Sequence, residues 1–458
     1  MGALEREAGR PELVRARRRK GLSQEAAAEA VGVSPTTWAR WERGEQGVRA
    51  RHRARMAAVF GVAAIDVERW VEGWAFVETP CWPLVDCGGG SLEATVKSAD
   101  LLWRFEMDPS RRHLLATLPF VPAALGEWLT SWTYDSPAAS TGHAGSGRAV
   151  GMADVTRVNE ARQAFSQMDH QFGAGLVRPV VLRYLNSNVT PLLHGRYDEQ
   201  VGAKLLSAAA GMSWMAGWTS FDMHHHGRAQ HHFGQALRFA KAGDDSITGA
   251  WVLSTLTQQA IHTEQPVWAV RLARAAADTA RCGQAPPRVT ALLMIREAWA
   301  TALRARPAET GDKHSARQIE GLLVEAERVH STGATDRDPA WIALHEEVEL
   351  NAEAGRCWSL LGEHQRAAEC AEAAVEAFHE RAPRSAQFNL VHAADAYLAM
   401  GELGQALDSA RAAIPMAKTL SSARSVDFIT GFADRLEPYD TTVAVREFRD
   451  NLRAELAA

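Results

Sequence analysis

The sequence predicts an all-α protein, a small five-helix N-terminal domain followed by a long solenoid of helical hairpins. Three observations predict it. Short helical stretches punctuated by Ser, Pro and Gly fill residues 11–74. From about Val155 onward the chain is rich in Ala, Leu, Glu and Arg, with Gly or Pro breaks every fifteen to twenty residues. Late in the chain the sequence repeats itself at a 39-residue step.

The head begins with PELVRARRRKG, which stops at Gly21, a natural helix C-terminus. SQEAAAEAV follows with Ser23 placed to cap it, and Gly32-Val33 makes a tight turn. In SPTTWARWERG, Ser34 is a good N-cap, Pro35 suits the first helical position and Gly44 closes the element. Two more helices are expected around Ala50–Phe60 and Ile65–Trp74. A helix, a short Gly-containing turn and a second short helix is the arrangement that places the second helix in a major groove. Charge agrees: residues 1–60 carry +6, whereas the whole chain of 458 residues carries −5, so the remainder carries −11. A small basic head on an acidic body is what joining a nucleic-acid-binding domain to a non-binding one produces.

GLSQEAAAEAVGVSPTTWARWERG resembles the XRE (Cro/repressor-like) DNA-binding family, in which S-Q-x-x-A…G-V-S-x-x-x-I-x-x-W-E-x-G is usual. The likeness covers about sixty residues. It departs at Trp38, where a smaller aliphatic residue is typical, and this should alter packing beneath the reading helix. The resemblance implies roles. Thr36, Thr37 and Arg40 become base-edge candidates, since Arg pairs bidentately with guanine and Thr meets a thymine methyl. Gln24 either binds phosphate or buttresses the reading helix. Ser34, Arg43 and the basic run Arg15, Arg17, Arg18, Arg19, Lys20 become phosphate candidates. Trp38, Trp41 and Phe60 are expected in the core.

In the body, Gly355, Trp358, Gly362, Ala367, Ala371 and Ala374 recur 39 residues on as Ala394, Tyr397, Gly401, Ala406, Ala410 and Ala413. The three small residues share one face of the second helix, where close helix approach needs them. This resembles the tetratricopeptide repeat, and so implies a TPR-like right-handed α-solenoid. Further units are expected at Leu205–Gly243, Thr248–Arg281, Val289–His330 and Ile414–Leu456. VNEARQAFSQMDHQFGAGLVRPVVLRYLNSNVTPLL and the stretch around MHHHGRAQHHF look like the long XRE–TPR regulators of Streptomyces and related actinobacteria, often tied to development or secondary metabolism. The organisation expected is a head at 1–76, a helical connector and flexible linker at 77–151, whose linker is the Gly/Ser/Ala-rich run 135–151, and a repeat body at 152–458 that dimerises and senses an effector.

Effector candidates lie on the first helix of each hairpin, the concave side of such a superhelix: Arg296, Trp299, Asn351, Arg356, Phe388, His392 and Asp395. Their polar and aromatic mix suits a peptide or small molecule, as in the RRNPP peptide-sensing regulators that share the architecture. Five histidines, His224, His225, His226, His231 and His232, fall in one hairpin and read as its turn and outer face. No two have the three- or four-residue spacing of a helix-borne metal pair, so no metal is assigned, and a metal or pH-sensitive site there is the alternative reading. The chain has no GxxxxGK[ST] loop, GxGxxG or GxSxG, and HEEVE at His345 lacks the second histidine of a zinc-protease helix, so neither an enzyme nor a cofactor is expected. Five cysteines without a CxxC pair, an N-terminus without an apolar signal and no membrane-length apolar run lead to a cytoplasmic chain with reduced thiols and no membrane partner. Together these readings give a transcriptional regulator that binds double-stranded operator DNA as a homodimer under effector control. The alternative is a TPR interaction scaffold that binds DNA weakly.

Overall fold

A computed structural model describes residues 10–46, 48, 50–60, 67, 70, 91–108, 115, 117–138, 140–144, 147–305, 313–344, 347–379 and 382–457. The chain divides into two units, residues 1–83 and 84–458. The first contains the helices expected in the head. Helices α1 (Pro11–Arg19), α2 (Gln24–Val31), α3 (Pro35–Glu42) and α4 (Ala50–Phe60) follow the sequence punctuation closely. Ser23 Oγ accepts from the Ala26 amide at 3.1 Å and Ser34 Oγ from the Thr37 amide at 3.2 Å, so both expected N-caps are made. Gly32 ends α2 at φ +77°, a left-handed turn that strains other residues. Leu13, Ala27, Val31, Trp38, Trp41, Met56 and Phe60 form the core. The helix expected at Ile65–Trp74 lies outside the described residues except for Val67 and Trp70.

The second unit is an α-solenoid. A connector, α5 (Leu92–Met107) and α6 (Ala124–Tyr134), precedes α7 (Met152–Phe172) and α8 (Ala174–Tyr184). A π-helical turn (Leu185–Val189) and the short α9 (Thr190–Leu193) lead into six hairpins. These are α10 (Glu199–Asp222) with α11 (His226–Ala242), and α12 (Ser246–His262) with α13 (Pro266–Cys282). Then come α14 (Pro287–Ala305) with α15 (Lys313–His330), and α16 (Glu347–Leu360) with α17 (His364–Phe378). The last two are α18 (Pro383–Ala399) with α19 (Leu403–Thr419), and α20 (Ala423–Arg435) with α21 (Val443–Ala457).

One turn geometry joins many of these helices. Gly362 and Gly401 take φ of +83° and +82°, and His224, Asp244, Glu264 and Gln284 fill the same left-handed slot at +50° to +59°. The amide of the next residue then bonds back across the helix end, as from Glu363 to Trp358 O and from Glu402 to Tyr397 O, both 2.9 Å. The repeating alanines are buried as expected, Ala367, Ala371 and Ala374 in α17 and Ala406, Ala410 and Ala413 in α19. Close approach within a hairpin shows at Gly217, where an added Cβ would stand 2.6 Å from the Phe233 ring. The last unit is the exception: Ile414 belongs to α19, and the final hairpin starts at Ala423 rather than at Ile414.

The row of first helices returns on itself, because α18 packs against α7. At this seam Ser421 donates its amide to Phe172 O at 2.9 Å and accepts from the Gly175 amide at 2.8 Å. The described residues of 135–151 are docked on the body and are not the flexible linker expected from their composition. Thr141 Oγ1 donates to Glu199 O at 2.7 Å, and β1 (His143–Ala144) pairs antiparallel with β2 (Arg196–Tyr197). Glycines at 142, 147 and 195 let these strands lie close. At Gly147, for example, a Cβ would meet His194 O at 2.6 Å. The connector lies along α11 and α13, with Trp128 over Gly234 and Trp132 Nε1 donating to Thr279 Oγ1 at 2.8 Å. No helix among the described residues is long and apolar enough to cross a membrane.

Candidate functional site

In the head, α3 leaves Thr36 and Arg40 exposed, while Thr37 is half-buried with its hydroxyl on Ser34 Oγ at 2.9 Å. Trp38 and Trp41 on the opposite face are in the core, as expected. What holds α3 in place is Glu42. Its buried carboxylate receives Arg17 Nε at 2.6 Å, Gln24 Nε2 at 2.6 Å and Trp38 Nε1 at 2.8 Å. One carboxylate therefore ties α1, α2 and α3 together. Burial alone would raise its pKa, but bonds from Arg17, Gln24 and Trp38 outweigh burial and hold it below the usual carboxylate value.

This changes two roles. Arg17 is not a phosphate contact, because its guanidinium is spent on Glu42 and on Leu22 O at 2.9 Å. Gln24 takes the buttressing role, with its amide on Glu42. Trp38, the departure from the familiar pattern, adds an indole donor that an aliphatic residue lacks. Arg18, Arg19 and Lys20 are exposed at the end of α1. Arg43 is exposed but held bidentately by Glu45 at 2.7 and 3.0 Å.

In the body, the inner row of helices lines one cavity. Within it about 120 Å³ admits the centres of water-sized molecules. Every lining residue comes from α7, α10, α12, α14, α16, α18 or α20, apart from Trp341 in the 3₁₀ turn Ala340–Leu344. Of the seven expected effector residues, Arg296, Trp299, Arg356, Phe388 and His392 line it. Asn351 does not and is exposed, and Asp395 is turned to Arg435, at 2.8 Å to both oxygens. Asn351 points away from the cavity on its helix, whereas Asp395 shares the helix face of Phe388 and His392 but is taken up by Arg435.

The cavity walls were only partly foreseen. Trp214 and Trp218 of α10 stack with centroids 5.7 Å apart, Trp251 lies 3.9 Å from Trp214, and Trp341 stacks on Trp251 at 4.7 Å and 5°. Five arginines reach the cavity. Arg384 grips Asp169 bidentately at 2.8 and 2.6 Å across the seam, and Arg424 stands 3.3 Å from Asp222. Arg296 holds Glu353 at 2.6 Å. Arg162 and Arg356 have no carboxylate partner among the described residues and lie over Trp251 and Trp299, at 5.6 and 5.1 Å from the ring centroids. Burial, reinforced by neighbouring arginines, pushes His170 down to about 4 and His392 to about 3, with His262 well below its usual value. These imidazoles are neutral at pH 7. The available signal was Trp and Arg recurring on the first helices opposite their packing face.

The histidine run does not form the outer surface that its sequence position implied. His224 and His225 occupy the turn, and His226 opens α11. His232 is fully buried, its Nε2 3.1 Å from Glu106 Oε1 on the connector. Glu106 also receives Arg178 at 2.6 Å and approaches Arg228 at 3.3 Å. Burial would raise the Glu106 pKa, but His232 and the two arginines carry it down to about 2. Burial lowers His225, His226 and His231 to about 4, and while His232 joins the connector to the body through Glu106, His224 stands 3.2 Å from Asp427 of α20. Among the described residues no group of three or more His, Cys, Asp or Glu side chains is placed to hold a metal ion.

Residues 12–70 match the family model described as a helix-turn-helix domain, which spans α1 to α4 and the residues just beyond. No curated protein matches the chain. The head is thus a helix-turn-helix domain, the architecture of DNA-binding regulators.

Proposed function

We propose that this chain is a sequence-specific transcriptional regulator that binds operator DNA as a homodimer through its helix-turn-helix head, while its TPR-like body senses an effector in the cavity. The observation that carries the reading is the way α3 is set. Glu42 clamps it to α1 and α2, so Thr36 and Arg40 project from a fixed frame. Arg18, Arg19 and Lys20 supply positive charge for phosphates beside it. A single reading helix of this size binds weakly, so two heads on half-sites about one helical turn apart are required. An effector controls the protein by binding more tightly to one arrangement of the two heads than to the other. The reading places the chain in the cytoplasm and assigns it no catalytic step.

The test is selection of bound sequences from random duplex DNA by the full chain, followed by gel shifts at several salt concentrations. Specific binding that weakens steeply with salt is expected, because each phosphate contact releases counterions. Failure to enrich any sequence, or salt-independent binding, would sink the proposal. Within it, Arg40→Ala is expected to relax preference at one base pair of each half-site by about 1–3 kcal/mol and to leave other positions unchanged. An unchanged selected motif removes Arg40 from the reading surface.

A further inference from the structure

The cavity carries a charge pattern that narrows what it takes. Arg296 and Arg356 both lie against the Trp299 ring, at 5.7 and 5.1 Å from its centroid. Glu353 Oε1 meets Arg296 Nη2 at 2.6 Å, and Arg356 makes no ion pair among the described residues. Arg296 Nε and Nη1 and Arg356 Nε are buried donors without a hydrogen-bond partner, and Arg296 is 94% buried. Buried guanidinium N–H groups left unpaired are costly, so an acceptor that fills them is favoured by the full desolvation cost it removes. The neutral imidazoles of His262 and His392 add no positive charge, and Glu349 is raised by burial and by Glu353 toward its uncharged form.

Beside these donors the wall is aromatic: Trp251, Trp341, Phe388 and Phe428 present ring surface. The space open to water-sized centres, about 120 Å³, is close to the roughly 150 Å³ apolar cavity that accommodates benzene in another protein. Such a chamber fits one or two fused rings and is too small for an extended peptide. The seam closed by Ser421 and by Arg384 with Asp169 leaves the chamber bounded on that side.

We propose that the cavity binds a small aromatic carboxylate of one or two rings, its carboxylate on the free guanidinium edges of Arg296 and Arg356 and its ring on the tryptophan wall. This rests on the reading of the cavity as the effector site. A fork of guanidinium donors matches a planar carboxylate geometrically, and indoles favour a flat partner.

The experiment is calorimetric titration of the full chain with benzoate, indole-3-acetate and 2-naphthoate, each beside its neutral primary amide. At least one acid is expected to bind ten-fold or more tightly than its amide. Arg356→Gln is expected to lose that preference without loss of fold, since Arg356 makes no ion pair among the described residues. Urea unfolding of the variant checks the fold. If no acid binds better than its amide, or if Arg356→Gln binds like the parent chain, the proposal is overturned. Gel shifts on the same preparations separate the two readings. DNA binding without acid preference removes the ligand assignment alone, whereas acid preference without DNA binding removes the regulator reading alone.

Discussion

Replacing Arg384 by Met is expected to destabilise the helical ring by about 3–5 kcal/mol, the cost of stripping one partner from a buried ion pair. Methionine keeps much of the volume but leaves Asp169, almost fully buried, without the bidentate partner that holds it charged. Burial pushes the Asp169 carboxyl up, and the charge and hydrogen bonds of Arg384, with the Trp218 indole at 2.9 Å, hold it below the usual range. Asp222 would keep Arg424 at 3.3 Å but lose Arg384 at 3.6 Å. The damage should be local, because Arg384 and Asp169 join elements 215 residues apart at the seam. Hydrogen exchange of the full chain should therefore rise first in α7 and α18. Adding Asp169→Asn to the variant should recover part of the loss, since the stranded charge goes with it. Equal exchange in parent and variant would show that the seam does not depend on this pair.

Glu42→Gln is expected to cost the head about 3–5 kcal/mol, a large part of the roughly 5–15 kcal/mol that stabilises a typical domain. Glutamine cannot accept from Arg17, Gln24 and Trp38 as a carboxylate does, and it leaves the Arg17 charge half-buried and unpaired. Because the Glu42 pKa is lowered on folding, its contribution is complete above the unfolded value of about 4.5 and fades as pH falls through the lower folded value. The parent head should thus lose stability below about pH 4.5, and the variant should lack that part of the acid limb. Hydrogen exchange of α1–α3 across pH 3–7, corrected for intrinsic rates, measures both effects. DNA binding should fall with head stability, whereas Arg40→Ala should alter specificity with the head intact. The two variants therefore distinguish a scaffold residue from a reading residue.

Much of the head was legible because its determinants are local. Ser23 and Ser34 cap the helices they precede, and Gly32 takes the conformation its position demands. The hairpin body was legible for a related reason: Ala367, Ala371 and Ala374 mark a packing face through spacing alone. Helical period also brought five of seven effector candidates to the cavity. Asn351 missed because a step of one residue turns a side chain about 100° around its helix, and Asp395, in phase with Phe388 and His392, missed because Arg435 holds it.

Long-range pairings were not legible. The histidine run looked like surface because its partner Glu106 lies 126 residues away from His232, on the connector. The stretch 135–151 looked like a linker because its small residues carry no periodic signal. Its described residues dock because Gly147 admits the backbone just before β2 and Gly142 the backbone just after it. Arg17 looked like one basic residue among five until folding placed Glu42 beside it.

By itself the sequence determined where helices start and stop, that they pair as hairpins, and which small residues face the neighbouring helix. These follow from capping, backbone conformation and a 3.6-residue period, all acting within a few residues. Tertiary structure alone decided that the inner row closes on α7, that Asp169 meets Arg384, and that Arg356 is left without a carboxylate beside Trp299. Coulombic and desolvation energies depend on distance in space and on burial, and neither can be read from a residue's neighbours in the chain.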